Sequence, residues 1–173
     1  RRLDPGIPQR FLTDRLVFSQ DPPVRVGRCS DCGTLFRNPR ERERDLLALY
    51  AEEELEPAIM RSLFEAQRAS YAAQARRLTD YAGGPGTVLE VGSYVGGFLA
   101  AARAEGWEAL GVDLNRSAAD YAAEQGFLIQ VGELGAVPNE TPLDAIGIWN
   151  CFDQLPNPQQ TVEEARRRLW PGG

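Results

Sequence analysis

The sequence predicts an α/β fold: an open parallel sheet of about four strands, preceded by a short hairpin and a helical segment. Three observations lead there. From residue 87 onward, apolar strand-like runs alternate with helix-like runs of about ten residues, the pattern of βαβ units. Glycines punctuate the joints, at Gly83-Gly84-Pro85-Gly86, Gly106 and Gly126. Upstream, Met60, Leu63, Phe64, Gln67, Tyr71, Ala75, Leu78 and Tyr81 recur at steps of three or four, and only Gln67 interrupts the apolar stripe.

The elements follow in order. Residues 1–40 are rich in Pro, Gly and Arg and hold two strand-like pieces, "RLVFS" (15–19) and "VRVGRC" (24–29), with "SDCGTLFRNP" completing a hairpin. Residues 41–83 read as helical; the charged run "ERERDLLALYAEEELE" is a solvated face, and the Gly-Gly-Pro-Gly run stops the helix. Residues 84–173 form the sheet region. Strands are expected at 87–91, 108–114, 127–131 and 143–150, and helices at 97–106 and 117–126, the latter opened by a Ser117–Asp120 capping box. A last helix starts from Asn157 as N-cap with Pro158 in its first turn, and the segment ends on Pro171-Gly172. These three regions, 1–40, 41–83 and 84–173, are the expected domain organisation.

Bulk properties narrow the function. A chain of 173 residues suffices for one domain with a real core and a small appendage. The net charge of −6 argues against nucleic acid as a partner. No apolar run is long enough to span a membrane. Three cysteines do not make a closed disulfide framework, so a reducing cytoplasm is the expected compartment. Histidine is absent, which removes the commonest general base and metal ligand. The oligomeric state is not legible.

The informative stretch is "VLEVGSYVGGFL" (88–99). In an open parallel sheet, ligands bind beyond the carboxyl ends of the strands, which is where Gly92 breaks the first strand of this region. Freed amides at the start of the following helix can hold an anionic group. Asp113 follows about 20 positions on, at the end of the next strand, a spacing that suits a carboxylate accepting hydrogen bonds from ribose hydroxyls. The pair predicts a nucleoside-containing ligand. Tyr94 replaces the middle glycine of a dinucleotide fingerprint, and Glu90 adds negative charge where a pyrophosphate would suffer. A ligand with a cationic amine or sulfonium tolerates Glu90 better.

With "GVDLN" following, this stretch resembles a class I S-adenosylmethionine-dependent methyltransferase, of the bacterial type with an N-terminal zinc-ribbon-like segment. The resemblance covers residues 85–173. Glu90, Gly92 and Gly96 match the first motif of the family, and Tyr94 departs from it at the central glycine. "WNCFDQLPNP" (149–158) resembles the family's "WDVLEHLPDP" segment, with Asp153-Gln154 in place of Glu-His, and "RRRLWPGG" resembles its R-x-L-x-P-G-G turn. The resemblance implies a Rossmann-like sheet and S-adenosylmethionine as cofactor. It puts Gly92, Ser93, Tyr94 and Gly96 in the loop around the methionine end, alongside Glu90. It puts Asp113 on the ribose and Leu114 against the adenine. Glu133 and the Leu134 amide fall near the adenine amino group, and Asn150 at the start of the loop after the fourth strand. The implied activity is methyl transfer to a small-molecule acceptor; with histidine absent, the candidate general base is Asp153 or Tyr94, unless the acceptor needs none. It also implies a chain truncated at both ends, lacking the last strands, so that this piece alone need not be active.

Two features keep alternatives open. The missing central glycine and Glu-His pair suit a non-catalytic cofactor-binding module; an NAD-type oxidoreductase is opposed by Tyr94 and Glu90. Cys29 and Cys32, in "CSDCG", resemble one knuckle of a zinc ribbon, but structural zinc takes four ligands. The pair is a half-site that holds zinc only if a second cysteine pair lies upstream; no metal is expected here.

Overall fold

The structure, a computed structural model, describes residues 26–37, 42–54, 56–138 and 143–173. The chain divides into two compact units, Arg1–Tyr50 and Ala51–Gly173. In the first, β1 (Val26–Arg28) and β2 (Leu35–Arg37) pair as an antiparallel hairpin. Its loop closes where the Cys29 amide donates to the Thr34 carbonyl at 2.8 Å and the Gly33 amide to the Cys29 carbonyl at 3.1 Å. Gly33 sits at φ 75°, a conformation that glycine adopts without strain. Helix α1 (Glu43–Ala51) follows, exposed except around Leu46, in keeping with a solvated charged face. The strand expected at 15–19 lies outside the described residues.

The second unit begins its regular structure with α2 (Pro57–Ala82). The single helical region read from the sequence is therefore two helices. Pro57 opens α2 at its first turn, where its missing N–H costs nothing, and Gly83 at φ 76° closes it by donating to the Thr79 carbonyl. Met60, Phe64, Tyr71 and Ala75 of the expected stripe are buried, whereas Tyr81 is 87% exposed. Ten residues after Tyr71, Tyr81 has rotated about 80° off the stripe at 3.6 residues per turn.

The sheet contains β3 (Thr87–Val91), β4 (Glu108–Asp113), β5 (Leu128–Val131) and β6 (Ala145–Ile148) in the order β5-β4-β3-β6, all parallel. Its helices are α3 (Gly97–Ala104), α4 (Arg116–Glu124) and α5 (Pro158–Arg168). From β3 the chain winds outward through β4 to β5, then returns to β6 on the other side of β3. The tip of β3 is thus a switch point, the place where open sheets bind ligands.

The two faces bury different cores. Val88, Ala109, Ala145 and Ile129 pack with α2, α3 and α4, through Phe64, Tyr71, Phe98, Leu99 and Ala122. Leu89, Val91 and Val112 face Leu134, Val137 and Ala165. Gly97 lets α2 approach α3: a Cβ there would collide with Gln67 and lie 3.0 Å from the Arg68 amide nitrogen. The cap of α4 is a correction to the sequence reading. Asn115, not Ser117, takes the position, its side chain accepting from the Ala118 amide at 2.8 Å. The helix starts at Arg116, which leaves Ser117 inside the first turn. At α5, Asn157 caps as expected, accepting from the Gln160 amide at 3.2 Å.

Candidate functional site

The tips of β3, β4 and β6 gather most of the residues singled out above. After β3 the chain turns through three left-handed positions, Gly92 at φ 74°, Tyr94 at φ 48° and Gly96 at φ 81°. Glycine takes this region freely; a tyrosine there costs of order 1–3 kcal/mol and persists only when its surroundings hold it. The holder is Asp113. Its Oδ2 accepts from the Tyr94 amide at 2.7 Å and its Oδ1 from the Asn115 amide at 2.9 Å. One carboxylate therefore ties the turn after β3 to the turn after β4. Such charge-assisted bonds are roughly twice as strong as neutral ones. The Tyr94 ring is itself buried and adds packing to that anchor.

Ser93 turns inward. Its hydroxyl donates to the Glu90 carbonyl at 2.8 Å and sits over Gly111, where a Cβ would strike it. Cys151 is seated in the same manner against Gly92: a Cβ on Gly92 would come 2.8 Å from its Sγ, and that thiol donates to the Val91 carbonyl at 3.2 Å. Ser93 and Cys151 thus brace the turn from two sides.

Glu90 stands at the centre. It is 2% exposed, and its Oε2 is buried without a hydrogen-bond partner. Its register partners on both neighbouring strands are glycines, Gly111 in β4 and Gly147 in β6. Registered residues share a face of the sheet, so the acid is flanked by two positions with no side chain. Burial first, and the charge of Asp113 second, hold the Glu90 carboxyl well above the usual carboxylate range.

The remaining expected residues spread around this centre. Leu114 is half-buried beside Asp113. Glu133 is exposed at the start of a 3-10 turn, Leu134–Ala136, and the Leu134 side chain is buried in the core on the opposite face from α2. Asn150 adopts φ 53°, and its side chain donates to the Tyr71 hydroxyl at 3.2 Å. Asp153 is exposed in a 3-10 turn, Phe152–Gln154. In the first unit, Cys29 is half-buried and Cys32 exposed; the Thr34 hydroxyl, 3.1 Å away, lowers the Cys32 thiol below its ordinary value. Among the described residues, no group of three or more His, Cys, Asp or Glu could hold a metal.

Sequence reasoning missed several contributors. Tyr71 was read only as part of a core stripe, yet α2 brings its hydroxyl to Asn150. Asn115 is buried and serves three connections: it caps α4, donates to Asp113, and reaches the Glu53 carbonyl at 2.6 Å. Gly111 and Gly147 carried a usable signal, since glycine inside a strand marks a close approach of something else.

Comparison with known proteins gives a consistent result. A family model described as a methyltransferase domain matches residues 63–173. Among solved structures, the glycopeptide N-methyltransferase MtfA, complexed with sinefungin, is similar at 19% identity and a TM-score of 0.51, over 59% of this chain and 47% of that one. DesVI of Streptomyces venezuelae is similar at 18% identity and a TM-score of 0.52, over 70% of this chain and 56% of that one. At these identities the likeness is one of fold, and the chain spans about half the length of these structures. No curated protein sequence matches it. No helix among the described residues is long and apolar enough to cross a membrane.

Proposed function

The chain belongs to the methyltransferase-domain family, and from that premise we propose that it binds S-adenosylmethionine and serves methyl transfer to a small-molecule acceptor. The observation that carries the reading is the pair of acids on adjacent strand tips, Glu90 orphaned in a buried site and Asp113 anchored to the turn between them. A nucleoside with a cationic amino-acid tail fits that donor set. Its ribose hydroxyls suit the Asp113 carboxylate, which as a class offers about four acceptor sites. Its positive end suits Glu90, whose register partners on both neighbouring strands are glycines and bring no side chain to it.

When bound, the cofactor supplies an electrophilic methyl on a sulfonium. What the chain supplies is position. The Gly92–Gly96 turn, Asp113 and Glu90 fix the two ends of the ligand, and orientation of this kind accounts for about 7–11 kcal/mol of barrier in favourable cases. Leu114 lies beside Asp113 as an apolar surface for the base, with Glu133 and the Leu134 amide at the next strand tip. Asn150 follows β6, its side chain held by the Tyr71 hydroxyl. The base candidate is Asp153, exposed on its 3-10 turn; alignment of acceptor and methyl needs no base unless the acceptor must first lose a proton. The acidic chain suits a small acceptor better than nucleic acid, and three cysteines outside any disulfide suit the cytoplasm.

Titration calorimetry with S-adenosylmethionine and S-adenosylhomocysteine tests the reading. Saturable binding of both is expected. Folded protein that gives no heat with either overturns it, and binding without turnover on any acceptor class favours a binding module.

A further inference from the structure

A second buried polar atom lacks a partner near Glu90, the indole Nε1 of Trp149. Its place follows from the sheet. Gly147 and Trp149 are two residues apart on the β6 path and so project to the same face. The indole lies directly over Gly147: a Cβ on that glycine would come 2.7 Å from Nε1. Gly147 is the register partner of Glu90. Neighbouring strands are about 4.8 Å apart. An unpaired N–H donor and a carboxyl with an unpaired oxygen therefore project from adjacent strands at the same register, above a row in which both positions beside the acid are glycine.

A buried polar group without a partner costs about 1–3 kcal/mol, so two of them side by side call for a ligand that satisfies both. Their chemistry defines it. The carboxyl asks for a donor, preferably a cation, and the indole can only donate, so it asks for an acceptor, preferably an anion. An α-amino acid zwitterion presents both on a single carbon. We propose that Trp149 is a cofactor-binding residue whose indole N–H, seated over Gly147, binds the carboxylate of the cofactor's amino-acid end while Glu90 takes its ammonium group. The inference rests on the S-adenosylmethionine reading and adds a residue and a contact to it. The ring also packs against two aromatics, with centroids 5.4 Å from Phe98 and 6.5 Å from Tyr71.

The test compares two ligands that share a nucleoside, S-adenosylhomocysteine and 5′-methylthioadenosine; the second lacks the amino-acid end. Trp149→Phe keeps an aromatic ring against Phe98 and Tyr71 and removes the N–H. Gly147→Ala keeps the indole but pushes it off its seat, at a position whose backbone tolerates alanine. Both variants are expected to weaken S-adenosylhomocysteine about tenfold or more, and 5′-methylthioadenosine not at all, since a bond to a charged partner carries about 1.5–3 kcal/mol and 1.4 kcal/mol is tenfold. Equal loss for both ligands, or no loss for either, overturns the assignment. Wild-type protein that binds neither ligand overturns the cofactor reading itself, and this outcome is distinct from the other two.

Discussion

Asp113 is the residue on which fold and ligand requirements coincide, so its replacement separates them. Asp113→Asn keeps the shape but turns one acceptor into a donor. One of the two amides, Tyr94 at 2.7 Å or Asn115 at 2.9 Å, then faces an NH₂ group, and the other loses its charged acceptor. A bond to a charged group is worth about 1.5–3 kcal/mol, and its neutral counterpart about half as much, which gives a loss of about 2–4 kcal/mol. For a chain of this size each 1 kcal/mol lowers the melting temperature by about 2–4 °C, so a fall of roughly 5–15 °C is expected by calorimetry without ligand. Affinity for S-adenosylhomocysteine should fall about 10- to 100-fold, and discrimination against its 2′-deoxy analogue should vanish. The second readout matters, because a loosened turn would weaken both nucleosides equally. Unchanged melting refutes the anchoring role of Asp113, and retained ribose discrimination refutes its contact with the sugar.

Further outcomes follow from other residues. Glu90 holds a proton in the folded chain that the unfolded chain gives up, so its contribution to stability is complete below about pH 4.3, the usual glutamate value, and is lost as pH rises through the raised folded value. Glu90→Gln removes that term; its urea midpoint should decline less than the wild type's between pH 4 and pH 8, and parallel profiles would refute the assignment. Gly97→Ala should cost about 1–3 kcal/mol despite the better helix propensity of alanine, because the added methyl meets Gln67 and the Arg68 backbone; denaturant titration checks it. Cys32 should be alkylated by iodoacetamide faster than Cys29 and far faster than the buried Cys151, and Thr34→Val should slow it, as peptide mapping would report.

The legible part of this molecule is the part where one residue type does one local job. The strands β3 to β6, the turn at Gly92 and the stop at Gly83 announced themselves because periodicity and glycine punctuation are local signals. The break between α1 and α2 was hidden, since it is itself a run of helix-favouring acids, Glu52, Glu53, Glu54 and Glu56, and only Pro57 marks the restart. Asn115 was passed over as a cap because Ser117 and Asp120 offered a better local pattern, and the choice was made by where the β4 turn ends. The roles of Ser93 and Tyr71 were equally invisible: one depends on a glycine in the neighbouring strand, the other on a partner 79 residues away.

The glycines also explain why this site would discriminate by charge. Gly92 and Gly96 give the backbone its left-handed turns, whereas Gly111 and Gly147 empty the flanks of Glu90, and Gly97 admits α2. The result is a buried acid next to a second acid, Asp113, whose field already opposes its ionisation. An anionic ligand such as a pyrophosphate would enter against both carboxyls, and repulsion of that kind selects as strongly as attraction does. A cationic ligand relieves the same repulsion and lets Glu90 ionise, so the energy that destabilises the charged form of the empty site becomes preference for a positive partner. The Tyr94 substitution fits that logic. A ligand whose anionic group is a single carboxylate does not need the bare backbone that a pyrophosphate demands, and the central position of the turn is then open to a side chain that packs.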